Sequence, residues 1–227
     1  MLTDKKLNKI IFQFKKDNCM PTIQDLEMKL GLEHGFLMAL KEEKDNWSFI
    51  LKTAAVAEGA VKFALDNWFS EDVQPKVNLI DAKSNDDYKK VFFEALGPSF
   101  EKRIGVAYSF GLINNKYSKL LCTYFKLRNT IVHNINNHGF DFVKPIDKKL
   151  HAALKKLLDQ IKTMLNTEID RLNQKSIRES LFNIIFFSCC QLSYGKVKNE
   201  KTGKYEFINV GYADVKAPLP IINVSAH

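Results

Sequence analysis

Proline and glycine are scarce, with six and ten in 227 residues. A chain this poor in breakers does not supply the frequent tight turns of a β-sandwich or barrel. Its long segments repeat at helical rather than strand period, so the expected class is all-α. The longest apolar run, "LFNIIFFSCCQL" from Leu181, is too short to cross a bilayer and carries Asn183 and Ser188 inside it. It reads as a buried helix. The amino terminus "MLTDKKLNKIIF" has no apolar stretch of signal-peptide length and no small-residue cleavage site, so a cytoplasmic protein with no membrane attachment is expected.

Cysteine is sparse too, and its pattern is not that of a metal or redox centre. Cys19, Cys122, Cys189 and Cys190 make no C-x-x-C pair. Two adjacent cysteines do not readily chelate one tetrahedral ion, so core thiols in a reducing compartment are expected. No G-x-G-x-x-G, H-E-x-x-H or G-x-S-x-G occurs. "GKVKNEKTGKY" has the wrong spacing for a P-loop and a tyrosine where Ser or Thr should hold magnesium. His133 and His138 lack third and fourth ligands nearby. Neither a metal site nor a cofactor is expected.

Positive charge is present in excess, and it is concentrated. The net charge is +8, with residues 1–45 summing to 0, 46–115 to −1, 116–204 to +10 and 205–227 to −1. A basic surface in the third segment would raise the local concentration of a polyanion such as RNA, although lysines scattered over the wet faces of helices give the same sum.

Along the chain, a first helix is expected from Asp4 to Lys16. A short one, "IQDLEMKL", follows, with Thr22 as N-cap and Gly31 ending it. "TIQDLEMKLGLEHG" faintly resembles the start of a helix-turn-helix, and a short packing helix explains it equally well. A long helix from Asn46 to about Phe69 carries Trp47, Leu51, Ala54, Val61, Leu65 and Trp68 as one apolar stripe. Glu58 falls within it. A carboxylate there is costly unless paired, and Arg128, Arg103 or a backbone donor is the expected partner.

Residues 70–87 are expected to form the main loop. Gly97-Pro98 breaks a short helix, Ser99 begins another, and Gly111 with Asn114 and Asn115 closes it. Further helices are expected over 116–135, 146–172 and 176–192. In the tail, Thr202-Gly203 signals a turn between "KVK" and "YEFINV". The organisation is thus an N-terminal helical extension over 1–45, a helical domain over 46–193, and a short non-helical tail or hairpin over 194–227.

Within the helix over 116–135, "FKLRNTIVHN" places Arg128, Asn129 and His133 in an otherwise apolar stretch. At about 100° per residue, Leu120, Tyr124, Leu127 and Ile131 make the core face, and Lys119, Lys126 and Thr130 the wet one. Leu121, Cys122, Phe125 and Val132 lie between, flanked by Asn129 and His133. That arc suggests a second packing surface, such as another subunit. Asn129, four residues before His133, is placed to hydrogen-bond its imidazole.

"LRNTIVHN" resembles the R-[ND]-x-x-x-H signature of the HEPN superfamily. These are all-helical dimeric domains that include many metal-independent RNases of toxin-antitoxin and phage-defence systems. The wider stretch from "NWSFILKTAAVAEGAVKFAL" through "LGPSFEKRIGVAYSFGLI" to "YSKLLCTYFKLRNTIVHN" is also similar to the mannitol operon repressor branch, and together they cover about residues 46 to 143. The resemblance implies a HEPN-like antiparallel bundle that works as a homodimer, with Arg128 and His133 as the active pair and Asn129 beside them. Glu58 and Arg103 would support the pair, and Lys126, His138 and Lys144 would contact RNA. It also implies cleavage leaving a 2′,3′-cyclic phosphate and a neutralising antitoxin or regulatory protein partner. The tyrosine that follows the histidine in members modified by a partner nucleotidyltransferase is absent from "HNINNHGF". A different class stays open beside the nuclease, a non-catalytic dimeric regulator or protein-interaction module like the repressor branch.

Overall fold

The computed structural model describes residues 21–71, 85–133, 140–144, 147–165, 169–171, 173–198 and 205–207. The expected first helix, Cys19 and His138 lie outside them. The architecture is all-α, with eight helices among the described residues: α1 (Ile23–Leu30), α2 (Phe36–Lys41), α3 (Asn46–Glu71), α4 (Asn85–Leu96), α5 (Phe100–Ser109), α6 (Asn115–Val132), α7 (Lys148–Leu165) and α8 (Gln174–Tyr194). Two three-residue strands, β1 (Lys196–Lys198) and β2 (Tyr205–Phe207), form an antiparallel hairpin that pairs Val197 with Glu206. Gly195, at φ 62°, makes the turn out of α8 in a conformation that favours glycine. No helix among the described residues is long and apolar enough to cross a membrane.

Short polar residues set the helix starts. Thr22 and Asp25 form a reciprocal capping box on α1, and Gly31 ends that helix in the left-handed region. Ser99, Asn114 and Asn173 cap α5, α6 and α8 with their side-chain oxygens. Asp147 accepts from the backbone N–H groups of Lys149 (2.6 Å) and Leu150 (3.4 Å) at the start of α7.

One core holds these helices together. Helix α8 is its axis, with thirteen residues between Ile177 and Ser193 buried, so the apolar run from Leu181 is wrapped on nearly every side. Against it lie α3, which presents the small residues Ala54, Ala57, Ala60 and Ala64, and α1 and α2 through Leu26, Leu37 and Leu40. The described part of the N-terminal extension therefore shares this core. Its buried Glu27 accepts from the backbone N–H groups of Gly35 (2.9 Å) and Leu37 (2.6 Å), a carboxylate placed at the N-terminus of α2.

Ring contacts fix the order of the helix ends. Trp68 of α3 stacks on Phe110 at the end of α5, and Phe100 at the start of α5 stacks on Phe125 of α6. The backbone N–H of Asn114, at the start of α6, donates to Gln191 near the end of α8 (3.5 Å). Helix α6 therefore runs opposite to α3, α5 and α8, and it ends where those three begin.

Candidate functional site

Arg128, Asn129 and His133 sit at the terminus of α6, and the same helix shows what a polar group built for stability looks like. Tyr124 is fully buried. Its hydroxyl hydrogen-bonds the Thr53 hydroxyl, and the Ile50 carbonyl (3.3 Å from the phenol) and the Phe49 carbonyl (2.7 Å from Thr53) are the acceptors at either end of the pair. Burial pushes the Tyr124 phenol far above its ordinary range. Leu120, Leu127 and Ile131 continue that buried face, as the wheel requires.

The structure departs from expectation one turn later. Helix α6 ends at Val132 instead of continuing to 135, and His133 is its C-cap, with its backbone N–H donating to the Asn129 carbonyl at 3.0 Å. The Arg128 Nη1 donates to the Asn129 Oδ1 at 2.9 Å. The expected Asn129–imidazole bond is thus replaced by an Arg128–Asn129 bond, and residue 129 meets residue 133 through backbone alone. Arg128 is half-buried, whereas Asn129 and His133 are exposed. Among the described residues the imidazole has no hydrogen-bond or ion-pair partner. An exposed imidazole is suited to move a proton, and a guanidinium with unused N–H donors to bind an anion.

The second apolar arc is largely covered by this chain itself. Phe125 stacks on Phe100 at 3.4 Å between ring centroids, and Leu121 is fully buried. Cys122 is half-buried, and burial raises its thiol pKa. Only Val132, at 38% exposure, remains open beside His133. Helix α5 therefore covers Phe125 in the middle of that arc.

The supporting residues also fall differently. Glu58 makes no ion pair or hydrogen bond through its side chain among the described residues, and neither Arg128 nor Arg103 reaches it. The buried face of α3 centres on Ile50, Ala57 and Ala64, one residue round from the expected stripe. Leu51 and Glu58 are thereby left half-buried at the margin, where water substitutes for a partner. Arg103 Nη2 donates to the Gly97 carbonyl at 3.0 Å and ties down the α4–α5 turn, while its buried Nε has no hydrogen-bond partner among the described residues. Lys126 pairs with Glu101 at 3.6 Å on the surface, and Lys144 is exposed.

A polar knot that sequence reasoning missed holds the segment downstream of the motif. The buried Asn46, first residue of α3, donates through Nδ2 to the Phe140 carbonyl and to Gln174 Oε1, both at 2.8 Å. Its Oδ1 accepts from Arg178 Nη1 (3.1 Å), which also donates to the Lys44 carbonyl (2.8 Å). Gln174 Nε2 donates to Asp141 Oδ2 (2.9 Å), and Asp141 Oδ1 accepts from the N–H groups of Val143 (2.6 Å) and Lys144 (3.1 Å). The only local signal is an asparagine at a helix start. Its partners lie 94 to 132 residues away.

Exposed lysines cluster on α7, where Lys148, Lys155 and Lys162 recur every seven residues, flanked by Lys149 and Lys156. Among the described residues no group of three or more His, Cys, Asp or Glu side chains converges as metal ligands would. No family model, no curated protein and no solved structure matches this chain.

Proposed function

We propose that this protein is a metal-independent endoribonuclease of HEPN type, acting as a homodimer in the manner of toxin or phage-defence effectors. The observation that supports the reading is that Arg128, Asn129 and His133 all lie in the last turn and C-cap of α6, with Arg128 held by Asn129 and the imidazole unpartnered among the described residues. The chemistry follows from these groups. Attack of the RNA 2′-hydroxyl on the adjacent phosphorus requires removal of its proton and stabilisation of charge on a phosphorane. His133 accepts that proton, and the planar guanidinium of Arg128 donates to the phosphorane oxygens. The 5′-oxygen leaves and takes a proton from water, and the upstream product ends in a 2′,3′-cyclic phosphate. The +10 excess over residues 116–204 draws RNA toward this half of the chain. Incubation of purified protein with mixed cellular RNA in EDTA, with the ends mapped, tests the reading. Cuts bearing 2′,3′-cyclic phosphate that vanish in His133→Ala support it, and intact RNA with well-folded wild type overturns it.

The second reading is a non-catalytic dimeric regulator or protein-interaction module. Val132 favours it, being an exposed apolar side chain directly beside His133 that a protein surface would cover. Under this reading the protein is purified with a partner that protects Val132 and His133, and RNA is left intact.

A further inference from the structure

A recess lined by none of the trio residues lies beside α7. It is a cleft of about 250 Å³ lined by Phe142, Val143, Leu154, Leu158 and Ile177, with His151, Lys155 and Arg171 as its polar lining. Two observations make it more than a packing gap. Its apolar wall is built on fixed elements: Phe142, Leu154, Leu158 and Ile177 are buried in the core, and the 140–144 segment is pinned through Asp141 and Asn46. Its charges are also unbalanced. Arg171 is already paired with Asp159, so its charge is compensated. Lys155 has no acidic partner among the described residues, and His151 is likewise unbonded there. The Asp141 carboxylate is occupied by two backbone N–H groups and Gln174. Among the described residues Lys155 is thus the lining cation without an ion-pair partner, and it stands over an apolar wall.

We propose that this cleft binds a small organic carboxylate with an apolar body. One free ammonium complements a monoanion, whereas a phosphate dianion would leave charge unmatched. A body of roughly ten to fifteen non-hydrogen atoms fills the volume without polar groups to desolvate against leucine and phenylalanine. The carboxylate meets Lys155, with the His151 imidazole as a second donor at the rim, and the apolar part lies against Leu154, Leu158 and Phe142. The proposal does not depend on the trio being catalytic.

The test uses the full chain and 4-phenylbutyrate as probe, followed by calorimetry and by NMR of the Leu, Ile and Val methyl groups. A ligand of this size in an open cleft binds with Kd of about 1 mM. The expected result is saturable binding that shifts Leu154, Leu158 and Ile177 methyls and is weakened about tenfold for the neutral analogue 4-phenylbutanol and for Lys155→Gln. Lys155 is exposed, so K155Q keeps the wild-type melting curve, and His151→Gln provides a second variant on the same wet face. Absence of binding at 10 mM, equal binding of alcohol and carboxylate, or an undiminished affinity in K155Q would each overturn the proposal. So would inorganic phosphate or a mononucleotide displacing the probe at lower concentration than the probe's own Kd, since the cleft would then be a phosphate site. RNA cleavage is read separately in the same samples, so failure here leaves the nuclease reading untouched.

Discussion

Two polar clusters belong to the same end of the bundle and are built in opposite ways. In the Asn46 knot, each hydrogen-bonding side-chain atom of the asparagine is used, and the bonds join α3, α8 and the 140–144 segment. In the trio at the end of α6, the one side-chain bond joins neighbours in sequence, Arg128 and Asn129, and leaves the imidazole unpartnered among the described residues. Burial explains the contrast. A buried amide must be satisfied by the protein, because a lost bond costs its full desolvation. A half-buried guanidinium and an exposed imidazole can be satisfied by water at little cost to stability, and so remain available to a ligand. Fully bonded polar groups hold the fold, and spare ones are where function is to be sought.

The sharpest way to break this comparison is to cut each cluster in turn. Under the proposed chemistry, His133→Ala lowers the RNA cleavage rate by about 10²- to 10⁴-fold while changing stability by less than ~0.5 kcal/mol, as measured by single-turnover cleavage and urea unfolding. Asn46→Ala does the reverse, destabilising by about 2–4 kcal/mol in urea because Gln174, Arg178 and the Phe140 carbonyl lose partners together. A smaller effect is expected at Tyr124→Phe. Removing its hydroxyl costs about 1–2 kcal/mol, because Thr53 retains its bonds to the Phe49 and Ile50 carbonyls.

The smallest expected effect concerns acid. The Lys52 ammonium, with the backbone N–H of Asp45 and the Ser48 hydroxyl, holds the Glu43 carboxyl at about 2 against an ordinary 4.5. A pKa depressed in the folded state contributes stability that is fully present above pH 4.5 and is lost as pH falls toward 2. The group is near the surface, so screening keeps the contribution to about 0.5–1 kcal/mol. Lys52→Met should flatten the stability profile between those pH values, lowering stability at neutral pH by that amount and leaving it unchanged once the carboxyl is protonated in acid.

Much of the fold was legible because its signals are local. The Thr22 capping box, Gly31, Ser99 and the buried run from Leu181 each declare themselves within a few residues, and the structure has them as expected. Helix α2 was not anticipated. It has only six residues, begins at a left-handed glycine without a side-chain cap, and depends for its N-terminal partner on Glu27. The expected end of α6 overshot because the apolar Ile135 continues the helical pattern, although Asn134, directly after the His133 C-cap, is a stop signal that sequence reading passed over. Glu58 was misjudged by a rotation of one residue in α3. A wheel drawn through Leu51 and Leu65 misses that the small alanines mark the closer packing face.

At the site, residue types and spacing were legible and partners were not. The R-N-x-x-x-H string names three residues that the structure does gather on one helix end. Which atoms bond which, and what covers Phe125, depends on α5 and on side-chain reach. The Asn46 knot depends on pairings across more than ninety positions, which no local pattern encodes.

The most direct test of the central claim is the cleavage rate of one defined RNA in EDTA, compared between wild type and His133→Ala at matched folded fraction, with product ends identified. Metal-independent cleavage by wild type with 2′,3′-cyclic phosphate ends is expected, together with loss of that activity in a variant that unfolds at the wild-type urea midpoint. Equal rates in the two proteins, or no cleavage by folded wild type, would contradict it.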